Sequence, residues 1–444
     1  MAPAVPYAAS SAHAVVAIFF LLGIASSLPF NVFITEQDYF GKRLKGTAYE
    51  TSFVNWFSVG FNITTLLSML FRTVVIGDRM PSAVKTVFSM LVIVLSIMLG
   101  HTVLTRMPEF HGDEFFSLTM VSIVIVGTAN TMLQDGLLRL VSTFPAHFTQ
   151  SLVAGQSMAG VLVSVSSFVI LAASSTDGPK GVLLALRSDA DLNAFVYFVF
   201  VFAVVLLSVF SFVVLTRIEM FRQYHRVHVD PKPYLKGGRG NKEDFPSREK
   251  LLEDVDSEES EKELYLIDLA YKIRYYGAAV FLVFMVTLSL FPGLVSLLHS
   301  TNPSRGRLFG DLFVPALFIL VNAGDFVGRW VATSWPTPTE QRLFYSTLAR
   351  LIFCPLIMFC NLQNEHLQPI TLVLFKNDFI PILGIAICSF TNGLICTQAL
   401  MLYPRALTTA REKEMGGTVM FFLLSLGLSS GSLLSFVFIA MLKP

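Results

Sequence analysis

Leu320-Val-Asn-Ala-Gly-Asp-Phe-Val-Gly-Arg-Trp330 sits inside an apolar run from about Phe309 to Thr333 and still carries a carboxamide, a carboxylate and a guanidinium. Asn322, Asp325 and Arg329 are spaced i, i+3, i+7, so on a helix they project from one face, with Asp325 and Arg329 close enough to pair. An ionisable side chain in mid-membrane costs at least ~2.5 kcal/mol, so it normally faces a bundle interior or a wet cavity and marks a pathway. The stretch therefore predicts a membrane-spanning helix whose charged face lines a solute site.

The rest of the chain agrees with a bilayer setting. Of 444 residues, 54% are apolar and only 14% charged, and the mean hydropathy is +0.64. A soluble domain carries about 25% charged residues. These values predict an all-α polytopic membrane protein whose standing partner is the lipid bilayer. A net charge of +1 argues against nucleic acid as a partner. Cys354, Cys360, Cys388 and Cys396 all fall in apolar segments without Cys-x-x-Cys spacing and read as buried, reduced thiols. No phosphate loop, nucleophile elbow or His/Cys metal spacing occurs, so neither an enzyme nor a metal or cofactor site is expected.

A span of about 20 apolar residues crosses roughly 30 Å of hydrocarbon. Runs of that kind fall near 13–34, 52–77, 85–105, 115–139, 147–174, 192–217, 274–299, 309–333, 343–361, 377–402 and 415–441, which makes eleven transmembrane helices. They divide into an N-terminal six-helix bundle over 1–217, a polar loop over 218–273 and a C-terminal five-helix bundle over 274–444. The loop is rich in Lys, Arg, Glu and Ser, so it reads as a largely disordered segment on the cytoplasmic side. That places the N-terminus in the cytoplasm and the C-terminus outside or in an organelle lumen.

Polar residues inside the other spans mark further candidates. The first span ends Gly23-Ile-Ala-Ser-Ser-Leu-Pro-Phe-Asn-Val-Phe-Ile-Thr35, where Pro29 predicts a bend and Phe30 and Asn31 follow it. In the fourth span, Asn130/Gln134 and Asp135/Arg139 are both i, i+4 pairs. Gln134, the deeper of the two glutamine and aspartate positions, points to the cavity, while Asp135 and Arg139 read as a gate or a structural ion pair. Gly155, Ala159 and Gly160 in the fifth span are spaced for close helix contact.

Five stretches in order together resemble the equilibrative nucleoside transporters: Leu28–Thr35, Gly155–Gly160, Asn322–Arg329, Thr391-Asn-Gly393 and Phe421–Gly431. The resemblance implies a major-facilitator-like 6+5 arrangement and alternating access around a central cavity. It also implies facilitated diffusion of nucleosides such as uridine or adenosine, in some members nucleobases, and in some members proton coupling. Carried over residue by residue, it places Ser27, Phe30, Asn31, Ile34, Gln134, Phe291, Phe318, Asn322, Asp325, Arg329 and Leu428 around the solute. Gln134 would meet the base edge, Asp325 and Arg329 the ribose hydroxyls, and the aromatics the faces of the base. Phe30 stands where the family often has Trp and Ser27 where Leu is common. In the second span the register among Phe61, Asn62, Ile63 and Thr65 is ambiguous and no contact is assigned. A proton-coupled carrier of nucleosides or another polar solute, and a non-transporting receptor or scaffold, stand as rival readings. The membrane is expected to be the plasma membrane or an endolysosomal or vacuolar one.

Overall fold

In a bilayer every backbone N–H and C=O must be paired within the chain, so long apolar runs have little choice but to become helices. The computed structural model describes residues 9–50, 53–76, 82–173, 190–222, 267–363 and 373–442, and among these the only β pairing is an isolated bridge between Leu298 and Leu362. The helices are α1 (Ala9–Thr35), α2 (Gln37–Arg43), α3 (Phe53–Phe71), α4 (Ala83–Leu104), α5 (Gly112–Val141), α6 (Ala146–Ala173) and α7 (Ala190–Arg217). They continue with α8 (Arg274–Leu290), α9 (Gly293–Ser296), α10 (Phe313–Val331), α11 (Glu340–Ala349), α12 (Phe353–Met358), α13 (Phe379–Leu402) and α14 (Ala410–Leu442).

Nine helices among the described residues are long and apolar enough to cross a membrane, and Trp56–Phe71 is a shorter apolar one. The two expected spans that fall short of the nine are 52–77 and 343–361, each for a local reason. The first is helical only to Phe71 and ends in a π-helical turn, Arg72–Ile76. The second is broken into α11 and α12 by a 3-10 turn at Arg350–Ile352. Pro355 lies inside α12, and because it has no N–H to offer the carbonyl one turn back, the α ladder tightens there. Pro29, by contrast, does not end α1, which continues to Thr35. Most of the expected polar loop, residues 223–266, lies outside the described residues.

Two welds organise the helices. A Cβ on Gly155 would lie 2.0 Å from the Phe20 carbonyl oxygen and one on Gly23 2.1 Å from that of Leu152, so α1 and α6 touch backbone to backbone. A Cβ on Gly393 would lie 1.9 Å from the Asp325 carbonyl oxygen, which brings α13 equally close to α10. Close approach of this kind is what small residues supply in a bilayer, where burial of apolar surface does little to drive helices together. Helices α1 and α3–α7 pack mainly on one another, as do α8–α14. Contact between these groups runs through α6 against α10 and α13, and through α14 against α3 and α5. Outward faces are apolar, with Leu67, Phe210 and Leu433 all well exposed.

Candidate functional site

The charged face of α10 meets α6 in register. Asn322 faces Gly160, whose added Cβ would come within 2.2 Å of the Asn322 Oδ1. One turn on, Ser157 donates its hydroxyl to Asp325 Oδ2 at 2.5 Å. A further turn on, Arg329 Nη1 donates to the Val153 carbonyl oxygen at 3.0 Å. Positions 322, 325 and 329 thus answer 160, 157 and 153, as two antiparallel helices with matching three- and four-residue steps require. The i, i+4 pair forms as expected, with Arg329 Nε donating to Asp325 Oδ2 at 2.8 Å. Arg329 is buried and Asp325 half-buried.

From the opposite side, α13 contributes Asn392, whose Nδ2 donates to Asp325 Oδ1 at 2.6 Å. Its Oδ1 accepts from Thr287 on α8 at 2.6 Å and from Arg350 Nη1 at 3.4 Å. Gln150 on α6 donates to the Arg329 and Trp330 carbonyl oxygens, capping the end of α10. Three helices, α6, α10 and α13, therefore meet at one carboxylate, and α8 reaches it only through Asn392. Sequence reading singled out neither Ser157 nor Asn392 as a polar partner, although both lie inside stretches quoted above, and it missed Thr287 and Arg350.

The remaining sequence candidates form separate clusters. Phe30 on α1 stacks face to face on Phe61 of α3, with ring centroids 3.7 Å apart. Ile63 is exposed on the other side of that helix. Gln134 on α5 donates through Nε2 to the Ser26 carbonyl oxygen at 3.1 Å, leaving its own oxygen to accept. Asn31 bonds back to the Ser27 carbonyl oxygen at 2.8 Å. Phe291 and Phe318 meet edge to face at 4.8 Å. Ten of the eleven candidates, Ser27, Phe30, Asn31, Ile34, Gln134, Phe291, Phe318, Asn322, Asp325 and Leu428, are half-buried, and only Arg329 is fully buried.

A second charged cluster joins helices α5 and α14 to the turn after α3. Asp135 is fully buried and takes Arg72 Nε at 3.3 Å, a closer partner than the expected Arg139, which lies at 3.9 Å. Thr418 on α14 donates to Asp135 Oδ1 at 2.8 Å, and Arg139 approaches Glu414 of α14 at 3.8 Å. The cluster thus ties α3 and α5 to α14. Arg72 had a visible signal, a lone Arg in an apolar run, but nothing local named its partner.

A cavity of about 300 Å3 lies elsewhere, between α1, α6 and α7, lined by residues such as Leu28, Val32, Leu162 and Phe200. It contains none of the sequence candidates; apart from the hydroxyls of Thr35, Ser166 and Tyr197 its lining side chains are apolar, and Thr35 and Tyr197 already donate, to the Asn31 carbonyl oxygen and to Ser166.

Welded helix pairs, a mid-chain charged network joining the two groups of helices and a second, buried ion-pair cluster together fit a helical membrane transporter. The solved structures agree in fold: a fucose transporter of the major facilitator superfamily in its outward conformation matches with a TM-score of 0.56 at 10% identity, over 97% of this chain and 98% of that one. A proton:xylose symporter of the same superfamily matches with a TM-score of 0.55 at 9% identity, over 98% and 90%. The family model described as nucleoside transporter matches residues 120–440, and the chain belongs to that family. Human equilibrative nucleoside transporter 1 is 27% identical, over 95% of this chain and 96% of its own length. Human equilibrative nucleoside transporter 2 is 28% identical over 97% and 98%, and equilibrative nucleotide transporter 1 of Arabidopsis thaliana 25% identical over 97% and 87%. The chain is a multi-pass transporter, and its family's work is transport rather than catalysis.

Proposed function

We propose that this chain carries nucleosides down their gradient by alternating access, with the solute held between the helices before and after the polar loop. The observation that carries the proposal is the half-buried Asp325, held by donors from both groups of helices, Ser157 on α6 and Asn392 on α13. A nucleoside is uncharged, carries many donors and acceptors and has an aromatic face, so a site for it needs a few oriented polar groups among flat rings. Gln134 Oε1 can accept from a base edge. Asp325 Oδ2 already accepts from Ser157 and Arg329, whereas Oδ1, which accepts from Asn392, has a second acceptor direction for a ribose hydroxyl. Arg329 stands beside it, Phe30, Phe291 and Phe318 flank the base, and Ser27, Asn31, Ile34, Asn322 and Leu428 complete the wall.

In this reading the chain spans the membrane eleven times in a 6+5 arrangement, with residues 1–217 and 274–444 as rocking halves and 218–273 as a cytoplasmic tether. The N-terminus is cytoplasmic, which makes the end with Arg72, Asp135 and Thr418 the inner one. The membrane is the plasma membrane or an endolysosomal or vacuolar one. The test is uptake of labelled uridine and adenosine by proteoliposomes holding the full chain. Saturable uptake competed by unlabelled nucleosides supports the proposal. Flux no greater than in protein-free liposomes contradicts it and favours a scaffold.

A further inference from the structure

Helices α6 and α7 each pack along α1 but hardly on each other. The gap between them is the cavity of about 300 Å3, with Leu28, Val32 and Thr35 of α1 as its floor. Leu162 on the α6 wall and Val196 and Phe200 on the α7 wall are 38%, 44% and 43% exposed, so the rim belongs to the apolar outward face and the opening looks sideways into lipid. Left unfilled, the crevice would forfeit the dispersion contacts of its walls, so a component of the bilayer occupies it. Thr35 is the last residue of α1 and Tyr197 lies in the second turn of α7, which puts their hydroxyls at the membrane-surface end and Leu28 and Phe200 deeper. From Leu28 to Thr35 the helix rises about 10 Å, which fits inside one leaflet of a hydrocarbon core roughly 30 Å thick.

The three hydroxyls of the lining have all committed their protons. Thr35 Oγ1 donates to the Asn31 carbonyl oxygen at 2.7 Å and Ser166 Oγ to the Val163 carbonyl oxygen at 2.8 Å. The proton between Tyr197 and Ser166 therefore comes from Tyr197. Each oxygen keeps an open acceptor direction, and none keeps a donor. The crevice thus suits a molecule that brings one proton on the end of an apolar body. A phosphatidylcholine head has acceptors only and leaves these oxygens unmet. A hydroxylated sterol supplies the donor, and its fused rings have little conformational freedom to lose against walls stiffened by the β-branched Val32, Val163 and Val196.

We propose that this crevice is a membrane-sterol site, with the sterol hydroxyl donating to Tyr197 or Thr35 and the ring body lying between α6 and α7. None of the nucleoside-site candidates lines it, so the failure of either proposal leaves the other standing. The full chain is reconstituted in phosphatidylcholine vesicles that contain a photoactivatable 3β-hydroxysterol, and the labelled peptides are mapped. Label is expected on the α6 and α7 residues of the crevice. Excess cholesterol is expected to compete about tenfold better than cholestenone, the 3-keto analogue that has no proton to donate. This comparison is read on the wild type and needs no variant. Val196→Trp, at a lipid-exposed position, is expected to close the opening and abolish the label. Tyr197→Phe, which keeps the ring and removes one acceptor, is expected to shrink the preference for cholesterol. Equal competition by the two sterols overturns the proposal, as does label unchanged in Val196→Trp. Label spread over the other outward faces with none concentrated in the crevice means that phospholipid chains fill it, and overturns the proposal as well.

Discussion

Ser157 gives its hydroxyl proton to Asp325 across the boundary between α6 and α10, at 2.5 Å. A hydrogen bond to a charged acceptor contributes about 1.5–3 kcal/mol. Here it joins groups that a rocking carrier has to part, so it favours the conformation in which α6 and α10 are in contact. Ser157→Ala is therefore expected to shift the population toward the separated arrangement by roughly tenfold or more. Spin labels at Thr143, after α5, and Arg411, on α14, read the shift as a larger long-distance fraction. An unchanged distance distribution would mean that the bond is indifferent to the conformational cycle.

Removing either member of the Asp325–Arg329 pair leaves the other charge unmatched at depth. Breaking a buried pair costs about 3–5 kcal/mol, and here the loss falls on the group offered to the solute. Asp325→Asn and Arg329→Ala are each expected to abolish nucleoside uptake while surface expression, measured by biotinylation, persists. Retained uptake in either variant would show the pair to be structural scaffolding.

The Asp135–Arg72 pair is more deeply buried than the Asp325–Arg329 pair, with side chains 0% and 1% exposed. Asp135→Asn leaves Arg72 and Arg139 both without a carboxylate at that position, for an expected loss of about 3–5 kcal/mol. Arg72→Gln added to Asp135→Asn should recover part of it, because the two sites share one interaction. Thermal unfolding of the purified variants in one detergent checks this. Strictly additive losses would dissolve the pair.

His101 on α4 is 3% exposed, and both ring nitrogens are buried without a hydrogen-bond partner. The ring stacks on Phe198 at 5.4 Å and meets Phe33 edge-on at 4.9 Å. An unmet buried polar group costs about 1–3 kcal/mol, so His101→Phe, which keeps the aromatic contacts, is expected to raise the unfolding temperature and leave uptake unchanged. A lower unfolding temperature would indicate that the nitrogens are satisfied after all.

What could be read from the chain and what could not follow from the range of each signal. The face shared by Asn322, Asp325 and Arg329 and the close contact at Gly155 were legible, because helical periodicity and small-residue spacing are local. The Asp325–Arg329 bond was legible for the same reason, four residues being one turn. Arg72 lies 63 residues from Asp135, Ser157 168 from Asp325 and Asn392 67 from Asp325, and no periodicity spans such separations. Local spacing found the Asp135–Arg139 pair, at 3.9 Å, but not the nearer partner, Arg72 at 3.3 Å from the turn that follows α3. The run at 343–361 read as one span because its apolarity is continuous, whereas the helix there is broken beside Arg350 and Pro355.

The most direct measurement is counterflow. Proteoliposomes loaded with unlabelled uridine are diluted into a trace of labelled uridine, and internal label is followed over time. A carrier that exposes one site alternately to the two sides should accumulate label transiently above the external concentration, and Asp325→Asn should abolish the overshoot. Entry of label that rises only to equality, with no overshoot, would contradict a single site reached from alternate sides.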